Sequence, residues 1–255
     1  MLAARDLVLK LGGAPALAGV SAAIAPGQIT AIIGPNGAGK SSLLACLAGL
    51  QRVAAGQVTL DDAPVLKLDP RQRARRIGFL PQVAEVNWDI DVETLVALGR
   101  LPHRSAPAAD AAAITAAMAA TDCAGLAGRV VSSLSGGERA RVLLARVLAG
   151  QPDYLLADEP LANLDPGHQL DTIACLRAAA DAGTGVAIVL HDLALAAQIA
   201  DQLVLLHNGQ VAANGTAAQV LTGPNVAKVY GIDIQVEHQP DGRLHLMVKG
   251  RSQRG

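Results

Sequence analysis

Aromatic side chains are nearly missing from this chain of 255 residues, which has one Trp, one Phe and two Tyr. Its core must therefore be filled by Ala, Leu and Val, which carry most of a hydrophobic content of 51 %. That is a compositional habit and says nothing about function. Cysteine is as sparse. Cys46, Cys123 and Cys175 are odd in number and far apart, which excludes a disulfide framework and gives no metal-ligand spacing. They read as buried, reduced thiols of a cytosolic protein. A net charge of −1 and a pI near 6.6 exclude an overall positive field for nucleic acid or anionic lipid. The local basic cluster Arg71, Arg73, Arg75 and Arg76 reads as a solvated helix face. No window approaches the ~18 uninterrupted apolar residues of a membrane span, and the opening MLAARDLVLKL lacks the apolar stretch of a signal peptide. Mean hydropathy is nonetheless +0.33, as fits a subunit that covers large faces with partners.

Short apolar runs, each followed by a Gly-rich turn and a helical pattern, give the rhythm of a parallel α/β sheet. Strands are expected at Gln28–Ile33, Tyr154–Ala157, Val186–Leu190 and Gln202–Leu206, with a helix at Ser41–Leu50. Leu2–Leu9 and Gln57–Leu60 read as shorter strands packed at one side. From about Val92 to Gly150 the pattern turns helical. Ala109–Ala120 is almost pure helix former, and Ser135-Gly136-Gly137 opens a helix that ends near Ala149. The tail from Gly215 is mixed, and Gly250–Gly255 is expected to fray. There is no internal repeat, so nothing points to two fused units.

Gly34-Pro35-Asn36-Gly37-Ala38-Gly39-Lys40-Ser41, continued by Ser42, matches the phosphate-loop pattern G-x-x-x-x-G-K-[ST] between a strand and a helix. Glycines let successive backbone N–H groups turn toward a phosphate, and the helix N-terminus adds partial positive charge. Lys40 can then reach the β- and γ-phosphates of a nucleotide, and the Ser41 hydroxyl can ligate Mg²⁺. Tyr154-Leu155-Leu156-Ala157 buries a strand next to that loop, and Asp158 emerges at its carboxyl end to hold Mg²⁺. Glu159, which follows it, can polarise an attacking water. An acid pair after a strand is also an ordinary helix-start signal; the phosphate loop is what gives this pair its meaning.

Leu134-Ser135-Gly136-Gly137-Glu138 opens a helix as a capping box would, with Ser135 as cap and Glu138 at the third helical position. The longer segment LSGGERARVLLARVLA resembles the signature of ABC ATPases and lies in register with the other motifs. Gln82 resembles that family's Q-loop glutamine, Leu164-Asp165 the end of its D-loop, and His191 its switch histidine. The resemblance runs from about Leu2 to Val220. It implies a P-loop NTPase with a RecA-like parallel core, an N-terminal antiparallel β subdomain and an inserted α-helical subdomain. One domain is expected over 1–255: core and β subdomain at 1–82 and 151–215, helical subdomain at 83–150, and a C-terminal extension at 216–255.

Two departures stand out. Leu11 occupies the region where the family usually stacks an aromatic residue on adenine, and the D-loop reads Leu161-Ala162-Asn163-Leu164-Asp165 instead of Ser-Ala-Leu-Asp. The resemblance implies a head-to-tail pair in which Lys40, Ser41, Asp158, Glu159, Gln82 and His191 act on the ATP of their own subunit. Ser135 and Gly137, beside Gly136, would reach it from the second copy, and Ser41, Gln82 and Asp158 would hold Mg²⁺. Ile77 to Ser105, Leu190-His191-Asp192-Leu193 and Thr216 to Thr222 resemble importer ATPases for iron–siderophore complexes, with haem and cobalamin close behind. That implies an integral-membrane permease pair, a periplasmic binding protein as indirect partner, no nucleic acid, and a place on the cytoplasmic face of the inner membrane. Two alternatives remain. One is a soluble ABC ATPase, for nucleic acid, the ribosome or iron–sulfur assembly. The other is a non-catalytic cassette, against which Glu159 and His191 together argue.

Overall fold

The structure is a computed structural model that describes residues 1–82, 89–162, 164–238 and 244–252. Two strands, β1 (Leu2–Leu11) and β2 (Ala14–Ile24), form an antiparallel hairpin, and β3 (Ile29–Ile33) leads into the phosphate loop and helix α1 (Lys40–Leu47). Strands β4 (Ala55–Leu60) and β5 (Ala63–Pro64) follow, then α2 (Pro70–Arg76) and β6 (Ile77–Leu80). Next come the helices α3 (Val92–Ala97), α4 (Pro107–Ala120) and α5 (Gly136–Ala149). Strand β7 (Tyr154–Ala157), α6 (Pro166–Asp181), β8 (Gly185–Val189), α7 (Leu193–Ile199), β9 (Gln202–His207) and β10 (Gln210–Gly215) complete the core. The tail folds as α8 (Ala217–Val220), α9 (Gly223–Tyr230) and the hairpin β11 (Ile232–His238) and β12 (Leu244–Arg251).

The main sheet runs β10-β9-β3-β8-β7-β6, parallel apart from β10, and a second, antiparallel sheet runs β2-β1-β4-β5. Central strands buried on both faces need unbroken apolar runs, and the two-residue period divides their side chains between two cores. Ile29, Ala31 and Ile33 join Leu155, Ala157, Val186, Ile188, Leu203 and Leu205 beneath α5, α6 and the tail. Ile32 joins Leu156, Ala187, Val189, Val204 and Leu206 against α1 and the β1–β2 hairpin. The sheet therefore sits between a helical layer and an antiparallel layer, and its carboxyl ends are left to build a site. The expectation of a parallel α/β core with a β subdomain and a helical insert holds.

Several local expectations change. Strand β7 is not next to β3, because β8 lies between them; the residues after β3 and β7 meet only at the carboxyl ends. Helix α1 stops at Leu47 rather than Leu50, since Gly49 takes φ +69°. Gly250 and Arg251 pair in β12 instead of fraying; residues 253–255 of that expectation, with 83–88 of the Q-loop stretch and Asn163 of the D-loop, lie outside the described residues. Helix α2 buries none of its side chains, as a solvated face should, but Arg76 bonds Asp61 and Asp153 at 2.6 Å each. All three cysteines are free; Cys46 and Cys123 are buried and Cys175 is half-buried. Burial pushes the Cys46 and Cys175 thiols up to about 11. Among the described residues no helix is long and apolar enough to cross a membrane.

Candidate functional site

The phosphate loop is shaped by close approaches that only glycine allows. Gly34 has φ +150°, and a Cβ there would run into the Leu206 carbonyl oxygen; at Gly39, φ +101°, a Cβ would lie 2.6 Å from the Ala16 carbonyl oxygen. Gly39 serves as the N-cap of α1 with no side-chain cap and no acidic residue in the first turn. Its orphan N–H groups are thus left for an anion. The loop is pinned from below by Gly209, whose N–H donates to the Ala38 carbonyl at 3.2 Å and whose carbonyl accepts from Ala18 N–H at 2.7 Å. Sequence reasoning missed Gly209, though Asn208-Gly209 is a strong hairpin-turn signal and both residues take positive φ.

Lys40 is buried and folded back on its own loop, with Nζ donating to the Gly34 carbonyl at 2.9 Å and the Pro35 carbonyl at 3.1 Å. Burial lowers its pKa, and the Glu159 and Asp158 carboxylates oppose that. Ser41 Oγ donates to Asp158 Oδ1 at 3.1 Å, which joins the loop to the end of β7 across the intervening β8. Asp158 is buried, so its pKa is raised despite the Ser41 hydrogen bond; Glu159 adds to the rise and Lys40 counters it. Glu159 takes φ +50°, a left-handed conformation uncommon for a non-glycine residue and one that collects at functional sites. Its two carboxylate oxygens have separate partners. Gln82 Nε2 donates to Oε2 at 2.7 Å, and His191 Nε2 meets Oε1 at 2.5 Å.

All of these side chains except the buried Asp158 line one cavity of about 600 Å³. Asn36, Gly37, Gly39, Lys40, Ser41 and Ser42 line one wall, and Gln82, Glu159 and His191 line another. Leu11, Ala14, Pro15 and Ala16 close the third side, with Leu11 about half exposed. Sequence reading singled out Leu11 but passed over the three residues beside it. A separate cavity of about 560 Å³ between α4, α5 and α6 is lined mostly by Ala and Leu and holds none of the phosphate-loop residues.

The serine–glycine turn lies elsewhere. Ser135 Oγ accepts from Glu138 N–H at 3.3 Å and Glu138 Oε2 accepts from Ser135 N–H at 2.8 Å, a complete capping box. The Ser135 donors hold the Glu138 carboxyl below the usual range, and Arg129 pairs with it at 2.8 Å. Ser135 and Gly136 are exposed, and none of Ser135, Gly136 and Gly137 lines the Lys40 cavity. Asp165 caps α6 and bonds the ring of His168 at 2.6 Å, and that ring stands against the α-carbon of Gly137. His168 went unnoticed in the sequence; only the fold brings it to the turn. In all, one cluster holds the loop, both acids, Gln82 and His191, and the turn waits outside it.

A family model for ABC transporters matches residues 17–162. A hemin import ATP-binding protein of Pseudomonas fluorescens is 43 % identical over 98 % of this chain and 100 % of its own length. Another, of Streptomyces coelicolor, is 44 % identical over 99 % and 91 %. An inward-facing structure of a putative metal-chelate type ABC transporter superposes with a TM-score of 0.81 at 25 % identity, covering 97 % of this chain and 96 % of that one. A dimeric bacterial ABC transporter cassette gives 0.77 at 26 % identity, covering 85 % and 99 %. In sequence and in fold alike, this chain belongs to the ABC transporter family, among its ATP-binding subunits.

Proposed function

We propose that this chain hydrolyses ATP as one of two identical cassettes and thereby drives a membrane permease that imports haem or a related iron chelate. The observation that carries the reading is the separation just described. Lys40, Ser41 and Glu159 line one cavity, with Asp158 bonded to Ser41, while the Ser135–Gly137 turn, exposed at Ser135 and Gly136, lies outside it. A second copy set head to tail would bring its turn to the open side of that cavity, and a dimeric cassette is among the similar structures. Haem as cargo is supported by relatives named for hemin import that span the whole chain. The same reading places the subunit against the permease on the cytoplasmic side, with a periplasmic receptor delivering the cargo and no nucleic acid involved.

In this reading the chemistry is in-line transfer of the γ-phosphoryl group to water, governed by positioning and charge. Lys40 exchanges its hold on the Gly34 and Pro35 carbonyls for the β- and γ-phosphates. Glu159, set in a strained turn between Gln82 and His191, orients the attacking water and accepts its proton. His191 and Gln82 keep that carboxylate aimed, and Ser135 and Gly137 of the second copy donate to the γ-phosphate.

The donor set at Ser41 and Asp158 suits Mg²⁺, a hard cation that takes oxygen ligands and relies on phosphate and water for the rest. A hydroxyl already bonded to a buried carboxylate of raised pKa is a site short of positive charge. Gln82, at the rim, offers a further oxygen. The ion would supply charge neutralisation between the phosphates.

The test is reconstitution with the cognate permease in proteoliposomes. ATP-dependent haem accumulation, with phosphate release raised by the permease, is expected; phosphate release without any iron-chelate uptake would assign the chain another cargo.

A further inference from the structure

Helix α9 is held in the same core as β3, with Val226 and Val229 buried beside Ile29, Ala31 and Ile33. Thr222 starts it and Gly231, φ +66°, ends it. Its last residue, Tyr230, sends a hydroxyl into that interior, where the oxygen has no solvent contact and no hydrogen-bond partner among the described residues. A phenylalanine would fill the same space without stranding a polar atom, so the hydroxyl needs a reason.

The reason lies in what faces it. Burial pushes the Tyr230 pKa up, and the backbone of Gly34 pulls it back. Only a donor favours a phenolate, so it is the Gly34 N–H that acts on the oxygen, without reaching hydrogen-bond geometry. Gly34 is the first residue of the phosphate loop and is already confined on two other sides. Lys40 Nζ holds its carbonyl at 2.9 Å, and the Leu206 carbonyl leaves its α-carbon no room for a side chain. Lys40 must let go of that carbonyl to reach a phosphate, and the Gly34–Pro35 backbone is then free to shift.

We propose that Tyr230 is a positioning residue for the phosphate loop. Its hydroxyl completes a hydrogen bond from the Gly34 N–H once the loop closes on ATP, and so the C-terminal extension favours the nucleotide-holding form. The proposal rests on the reading that this loop binds ATP. It gives the extension a task that its packing alone does not require.

Wild type, Tyr230→Phe, Val229→Ala and Lys40→Ala, all as full chains, would be compared for Mg-ATP affinity, for KM and kcat, and for melting without nucleotide. Tyr230→Phe is expected to bind ATP about three- to tenfold more weakly, the share of one hydrogen bond. Its KM should rise, its kcat at saturation hold, and its Tm without nucleotide stay level or rise. Val229→Ala, which loosens α9 but keeps the hydroxyl, should lower Tm far more than affinity. An affinity for Tyr230→Phe within twofold of wild type overturns the proposal, as does a loss of affinity that merely tracks a loss of Tm. Lys40→Ala separates the two levels: if it binds ATP normally, the loop reading itself is wrong.

Discussion

Glu159 Oε1 and His191 Nε2 meet at 2.5 Å across the carboxyl ends of β7 and β8. The two residues are brought together by strands that neighbour each other in the sheet, and the second carboxylate oxygen goes to Gln82. A carboxylate tethered on both sides is aimed rather than free, and that predicts how each partner fails when removed.

Glu159→Gln keeps the shape of the cavity and loses the base. It should bind ATP, hold the pair of cassettes closed, and turn over at least about tenfold more slowly, at the modest end of general-base effects. Single-turnover phosphate release measures this. Unchanged turnover would move the base elsewhere. His191→Ala should reduce kcat with little change in ATP affinity, because His191 touches Glu159 and is not part of the phosphate loop.

Leu11 lies exposed on the wall where an aromatic side chain would be expected to cover a base. Leu11→Tyr has room at the surface and adds a stacking face worth roughly 1–3 kcal/mol against a base. ATP should bind about fivefold or more tightly, with the larger gain for ATP over a triphosphate lacking a base. Equal gains for both, in a competition titration, would mean that the adenine sits away from Leu11.

Asp158 sets a pH dependence whose sign follows from burial. Its pKa is raised in the fold, so the folded chain binds its proton more tightly than the unfolded chain does. The contribution to stability is therefore greatest in acid and is lost as pH rises through the raised value. Above that raised value the ionised, buried Asp158 works against the nucleotide-free fold. Asp158→Asn should accordingly melt higher than wild type at pH 7, with the gap narrowing toward the ordinary carboxylate range, while losing Mg²⁺-dependent ATP binding. A variant that melts lower at pH 7 would show that the Ser41 bond outweighs the burial.

Arg100 ties the helical insert together. Its guanidinium is buried and donates to Asp110 at 2.7 Å, the Ala149 carbonyl at 2.9 Å, and Gln151 and Ser105 at 3.1 Å each. Arg100→Ala strips several polar groups of a partner at once and should cost about 2–4 kcal/mol. A fall in melting midpoint of several degrees is expected by scanning calorimetry, with ATP affinity intact; a change below a degree would show that water replaces the guanidinium.

What could be read in advance was what the chemistry keeps contiguous. A phosphate loop needs its glycines and lysine within a few residues, so Gly34–Ser41 is legible as a string, as are Asp158-Glu159 and the Ser135 turn. Strands β3, β7, β8 and β9 are legible because burial on both faces leaves unbroken apolar runs. Strand β2 escaped notice because half of its residues are small or polar and face outward, and β10, β11 and β12 share that weak alternation. Contacts made only by the fold left no trace: the Gly209 pin beneath the loop, the His168 ring against Gly137, and Tyr230 beneath Gly34. The placing of β8 between β3 and β7 is a matter of topology that no local pattern encodes.

The composite nature of the site can be tested by mixing two crippled chains. Lys40→Ala spoils the phosphate loop and leaves the serine–glycine turn whole. Gly136→Asp does the reverse: nothing among the described residues of its own subunit lies within 4 Å of a Cβ there, so the chain should fold, but the new charge would confront a neighbour's phosphates. Each variant alone should release almost no phosphate. Mixed, they should recover a substantial part of wild-type turnover, since a heterodimer rebuilds one sound site from the two undamaged halves. A mixture as inactive as its components, in a sample shown to contain heterodimers, would mean that each chain works on ATP alone and would contradict the account.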